Sequence, residues 1–494
     1  MKYDVIVIGG GLGGLECGYI LARAGKSVLV LEQGRQIGGC LQSYRRDGLE
    51  FDTGFHYVGG LDDGQPLHRI FCYLGLDSLP WLRMDKEFDR ILIGGHEYAL
   101  TQGYEHFADR LADDFPKERE ALKRYASLLR ETEEHQLEML DPSKLKDDSE
   151  SVFLSSETNA WKYLHELFGD SSLIDAVSGA SVKLELCKET LPLFTFLHGN
   201  SGYVGSSWRL RGSGSMLTDT LAKGIRAQGG EVICRAEVKE LVEEEGRIVR
   251  AICADGNGYE GDSFICDIHP QAACGLVKRS KLMKPSYRKR IAGQANTCGT
   301  FTVSLVLRPD TLSYFNHNYY VYRHPDVWRS SQAGEIDRVM VCCKAPEDGS
   351  GYIRQVDLLA PMPWKQCMPW MQTRVGKRGD EYEMWKENLA NECMALAETV
   401  VSGLNDGVEQ RYISTPLTYT DYLHTPEGSS YGIRKDFRAP LGGILSPRTS
   451  IPNLYLTGQS LIMHGVQGVT QTALFTCSEL IGRDWIWNHI VQGK

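Results

Sequence analysis

Gly9, Gly11 and Gly14, then Glu32, then Gly38 and Gly39, form one ordered set near the start of the chain, and their chemistry is recognition of phosphate and ribose. The first three satisfy G-x-G-x-x-G, with Leu12 and Gly13 completing the turn. The first glycine permits a tight turn, the second lets backbone approach a pyrophosphate, and the third lets the following helix pack close to its strand. The first N–H groups of that helix offer an anion site. Glu32 follows at the spacing at which a carboxylate accepts both ribose hydroxyls, with Gln33 beside it, and it repels a 2′-phosphate. A dinucleotide site follows. Gly38 and Gly39 precede Cys40 and the run Phe51-Asp52-Thr53-Gly54, and a simple NAD domain has no use for such a second glycine pair. Near the other end, Asn453 to Gln459 reads as a buried strand closing on Gly458 and Gln459. A helix start at about Gly465 then presents the backbone N–H groups of Val466, Gln467 and Gly468, where the helix dipole stabilises negative charge.

The elements that must hold these residues make an α/β fold of Rossmann-like type. Val5-Ile6-Val7-Ile8 is a short apolar strand, the helix after the glycines runs to about Ala24, and Val28 to Leu31 form the second strand. β-rich runs at 231–243, 247–254 and 263–267 return to this domain, with Glu245-Gly246 as a hairpin turn. Ile91 to Leu100 reads as another hairpin, and residues 104–140 as helix restarted at Pro116. Asp141 to Asn159 is polar and reads as a linker. The predicted division is a discontinuous nucleotide domain, 1–75, 205–290 and 415–494, and a discontinuous α+β substrate domain, 76–204 and 291–414. The loop Gly212 to Ser215 invites reading as a second phosphate cradle; it is set aside because no buried strand precedes it and no ribose acid follows. Pro361 to Met371, dense in Trp, Met and Pro with basic neighbours, reads as packed core, with a tunnel mouth or membrane-dipping lip as the alternative.

At 494 residues the chain is long enough for two cores. A net charge of −10 with no stripe of Lys and Arg argues against nucleic acid. The 14 cysteines are scattered without C-x-x-C, which predicts neither a metal site nor a disulfide framework and fits a cytoplasmic protein. No run of apolar residues is long enough to span a bilayer, and peripheral membrane contact stays open. Oligomeric state is not readable.

Val30-Leu31-Glu32-Gln33, Gly38-Gly39-Cys40, Gly48 to Tyr57 and Leu454 to Gln459 resemble the phytoene desaturase, carotenoid isomerase and retinol saturase group of flavoproteins. That resemblance implies FAD in a glutathione-reductase or amine-oxidase-like fold, with Gly38-Gly39 passing over its pyrophosphate, Gln459 near its ribityl region and the backbone near Val238 against adenine. It further implies an apolar polyene or isoprenoid substrate enclosed against the flavin ring. His56, Tyr57 and His464, in segments expected near that ring, are the candidate proton donors or substrate-orienting groups. With no second dinucleotide motif, electrons are expected from an external donor. Saturation is the favoured direction, with desaturation or cis-trans isomerisation as alternatives. A non-catalytic prenyl-protein carrier resembling GDP-dissociation inhibitors is the rival of another class. Amine oxidation is disfavoured, because Cys40 stands where amine-oxidase relatives carry Arg and no aromatic cage is recognisable.

Overall fold

Val5 to Ile8 and Val28 to Leu31 are buried on both faces, as a parallel sheet covered on both sides requires. In the computed structural model, which describes residues 2–144, 156–331, 334–347, 349–439 and 444–493, they form the centre of the first sheet. Its order is Glu231–Ile233, Val28–Leu31, Lys2–Ile8, Gly258–Cys266, Arg247–Cys253 and Val238–Glu244, with Leu454–Leu456 pairing the far end of Gly258–Cys266. The first four strands and Leu454–Leu456 run parallel; the other two close a hairpin at Glu245 and Gly246. Helix Leu12–Arg23 lies between helices Ser215–Ala227 and Gly465–Ile481. It sits close to its strand because Gly14 has no side chain, as a Cβ there would stand 2.3 Å from the Gly9 carbonyl oxygen.

The second sheet runs Val408–Ser414, Gly299–Leu307, Gln355–Met362, Arg338–Cys343, Asn318–Tyr322, Glu87–Ile93 and His96–Thr101. Its pleat sorts side chains between two cores. Phe301, Val303, Leu305, Leu358 and Ala360 pack against Leu389, Cys393 and Leu396 of helix Asp380–Glu398. The alternate residues Thr300, Met340, Leu359 and Pro361 face the other way and line a cavity toward the first sheet. A one-residue slip in these strands would exchange the two sets.

The predicted hairpin is Glu87–Ile93 with His96–Thr101, and the helical run is Tyr104–Asp114 followed, after a turn at Pro116–Glu118, by Arg119–His135. Most of the linker placed at 141–159 lies outside the described residues. Two readings need correction. A strand, Ser207–Leu210, does precede the Gly212 to Ser215 loop, pairing antiparallel with Val58–Gly59 and Trp81–Arg83. The loop is nevertheless no phosphate cradle, because carboxylates already occupy it. Gly214 donates its N–H to Asp52 Oδ1 at 2.6 Å and Ser213 Oγ donates to Glu50. The segment Pro361 to Met371 divides: Met362 and Cys367 are core, whereas Met368 and Met371 are 50 % and 47 % exposed.

Candidate active site

Three segments distant in sequence meet at the glycine-rich turn. Gly38 donates its N–H to the Gly10 carbonyl at 2.7 Å and bridges Gly11, so the second glycine pair lies against the first motif. A Cβ on Gly39 would stand 3.3 Å from the Gly11 Cα, and one on Gly13 would stand 3.2 Å from the Gly458 Cα. Bare backbone at these approaches leaves a cradle fitted to the pyrophosphate of FAD. Glu32 is buried; its Oε2 accepts the Gly10 N–H at 2.8 Å and its Oε1 the Gly34 N–H at 2.6 Å. Each oxygen keeps a lone pair for a ribose hydroxyl. Gln33 is exposed, and Cys40 lies at the short turn Gly39–Leu41 with its thiol pushed up to about 11 by burial. Ala236 donates its N–H to the Glu32 carbonyl at 2.8 Å, which sets the backbone leading to Val238 beside the acid. Gln459 is half-buried after Gly458.

Beyond the cradle is the cavity, and six residues singled out from opposite ends of the sequence line it together: His56, Tyr57, His464, Val466, Gln467 and Gly468. His464 immediately precedes helix Gly465–Ile481, and its Nε2–H donates to the Lys183 carbonyl at 3.0 Å. Burial pushes its imidazole down to about 4. His56 is also lowered by burial, its Nδ1 stands 3.8 Å from Asp357 Oδ2, and its Nε2 is buried without a partner. Both imidazoles are therefore neutral at pH 7. The Gln467 side chain donates to Glu133 Oε2 at 2.9 Å and Gln136 Oε1 at 2.7 Å, which fastens the helix start to Arg119–His135.

Tyr57 is the hub of the buried charges. Its hydroxyl gives its proton to Asp89 Oδ2 at 3.0 Å and stands 2.7 Å from Tyr320 Oη and 3.3 Å from Lys183 Nζ. The Lys183 ammonium sits 3.9 Å from the Tyr203 ring centroid, and the Tyr57 and Tyr203 rings are 4.6 Å apart at 51°. An aromatic seat therefore does exist here, contrary to the reading from sequence, and a lysine of the chain occupies it. Burial pushes Lys183 down to about 8, partly offset by Asp89, and pushes Asp89 up to about 6.

The sequence profile of the flavin containing amine oxidoreductases matches residues 12–293, more than half of the chain. The chain belongs to that family. Cyclohexylamine oxidase from Brevibacterium oxydans shares the fold over 97 % of this chain and 100 % of its own, with a TM-score of 0.60 at 15 % identity. All-trans-retinol 13,14-reductase of Homo sapiens is 27 % identical over 98 % of this chain and 86 % of its own length. Prolycopene isomerase of Daucus carota is 25 % identical over 93 % and 76 %. The reductase and the isomerase come from the group that the motifs resemble, and the chain is an FAD-dependent oxidoreductase.

Within this family frame, several site residues escaped sequence reading. Lys183 sits in a short turn, Ser181–Lys183, with no motif around it. Asp89 alternates along a hairpin strand like any polar residue, and only tertiary pairing buries it. Asp267 follows the strand Gly258–Cys266 and packs behind the glycine turn, where a Cβ on Gly458 would stand 2.5 Å from its Oδ1. Burial pushes it up to about 7, partly offset by the Gly14 and Gly11 backbone N–H groups near it. Its place after an apolar strand that pairs with the first was the one available signal.

Proposed function

We propose that the protein reduces a carbon-carbon double bond of an apolar polyene, as the name of its retinol reductase relative suggests. The observation that carries this reading is the aromatic seat filled by Lys183, since a protonated amine substrate would meet a fixed ammonium in a low-dielectric cavity. Apolar and aromatic side chains, among them Phe55, Leu184, Leu359, Tyr431 and Met463, suit a hydrocarbon chain instead. FAD held by the glycine cradle and Glu32 would supply hydride chemistry. The backbone N–H groups of Val466, Gln467 and Gly468 stabilise negative charge beside it through the dipole of helix Gly465–Ile481. Enclosure by the second sheet excludes water. Tyr57 holds its phenol proton, because burial and Asp89 raise its pKa well above the ordinary value, and with that proton donated to Asp89 it stays a neutral wall of the cavity rather than a charge.

The test is anaerobic mixing of photoreduced holoprotein with all-trans-retinol and, separately, prolycopene, read by absorbance and mass spectrometry. Loss of one double bond with reoxidation of the flavin is expected. A shift of geometry without loss assigns isomerisation, and benzylamine or putrescine oxidation by the oxidised protein overturns the polyene reading.

A lipid surface is the second element of this proposal. Met368, Met371, Val375 and Met384 are all about half exposed or more, and Lys365, Arg374 and Lys377 lie exposed around them. Such a patch suits delivery of an insoluble substrate from a membrane. No helix among the described residues is long and apolar enough to cross one.

A further inference from the structure

We propose that Lys183 anchors an anionic end group, so that the ligand of the cavity is a long-chain polyene carboxylate. This rests on the polyene reading above and narrows it. Among the described residues lining the cavity, Lys183 carries the one formal charge, and no Asp or Glu is among them. Protein surrounds it deeply, yet it keeps accessible surface, because that surface faces the cavity.

The ammonium is under-supplied with acceptors. It has three N–H donors, and the hydrogen bond it makes in the protein is the 3.3 Å contact to Tyr57 Oη. Its nearest countercharge, Asp89, stands behind that hydroxyl and is already engaged: Oδ2 accepts from Tyr57 at 3.0 Å and Oδ1 from Asn318 Nδ2 at 2.9 Å. Asn318 in turn accepts from Arg209 at 2.8 Å, so this buried network holds two cations, Lys183 and Arg209, to one carboxylate. Buried charge is retained where it is paired. The missing negative charge belongs in the cavity. The groups that face it cannot supply or compete for that charge: His56, His198 and His464 are all held neutral by burial, and Tyr203 and Tyr431 keep their protons because burial raises them. A hydrocarbon leaves the ammonium unmet, an alcohol offers only a dipole, and a carboxylate offers a charge-assisted hydrogen bond.

The test uses FAD-loaded protein and two fluorescent tetraene probes, cis-parinaric acid and its methyl ester, with wild type, Lys183→Met and Lys183→Arg. Wild type is expected to bind the acid about 10- to 100-fold more tightly than the ester, the range of one hydrogen bond to a charged group. Lys183→Met should abolish that preference while leaving ester affinity unchanged, and Lys183→Arg should keep most of it. The preference should fade as pH rises through about 8. Equal binding of acid and ester by wild type, no binding of either, or a preference that survives in Lys183→Met overturns the anchor. An altered flavin spectrum in Lys183→Met without loss of acid preference assigns the charge to the flavin and overturns it too. Turnover is read separately with reduced protein: tight, Lys183-dependent acid binding without loss of a double bond keeps the anchor and removes the reductase reading.

Discussion

Glu32 fastens the glycine turn with both oxygens of one carboxylate, one accepting from Gly10 and the other from Gly34. Replacing it with Gln keeps one oxygen but turns an amide N–H toward a backbone N–H, so either Gly10 or Gly34 loses its acceptor. Glu32→Gln should weaken FAD about 10- to 100-fold, from a cost of about 1–3 kcal/mol, measured by reconstitution of apoprotein. Unaltered affinity would show that neither bond supports the cradle. His464 makes a different case, because its Nε2–H is spent on the Lys183 carbonyl and its imidazole is neutral from about pH 5 upward. His464→Phe should slow turnover about fivefold, the worth of one net hydrogen bond, with no new ionisation between pH 5 and 8 in the rate profile. A lost ionisation near pH 6 would instead make it an acid in the reaction. Glu32 was legible from its position relative to the glycines, whereas Lys183 was not, since nothing in Ser181-Val182-Lys183 distinguishes it from a surface lysine.

Between elements, the contact of helix Leu12–Arg23 with helix Gly465–Ile481 carries a buried acid. Glu16 accepts from Thr470 Oγ1 at 2.7 Å, its other oxygen has no partner, and burial pushes it up to about 8. The folded protein then binds a proton that the unfolded chain has released once pH exceeds its ordinary value. Stability from this group is complete at low pH and lost as pH rises toward about 8. Glu16→Gln should therefore be more stable than wild type at pH 8–9 by roughly 4–5 kcal/mol at most, and the gain should vanish below about pH 4.5. Thermal melts across that range check the sign. The first helix itself was readable from its glycines and apolar spacing, and it ends at Arg23, within a residue of the expected end. Its partner helix was readable too, but not the contact between them, because the two are joined only through the folded sheet. In the second sheet, alternation predicts which residues share a face and leaves open which face meets the flavin side; packing against helix Asp380–Glu398 decides that.

At the scale of the whole molecule, the exposed Met368 and Met371 should matter for lipid contact and for little else. Met368→Asp with Met371→Asp should reduce flotation with anionic phosphatidylglycerol vesicles at least about fivefold, leave FAD content unchanged, and slow turnover of a vesicle-borne polyene more than of the same polyene dispersed in detergent. Unchanged flotation would remove the membrane surface from the account. Sequence by itself determined the cofactor domain, because glycine, a carboxylate and an apolar strand act through local backbone geometry whose spacing survives in one dimension. It also singled out Gly458 and the helix start after it, which the fold brings to the glycine turn and to the cavity beside it. Tertiary structure alone decided what surrounds the cavity. Tyr57, Asp89, Lys183 and Tyr203 come from a loop, a strand, a short turn and a helix, and their charges acquire unusual chemistry only when folding removes water from around all four at once.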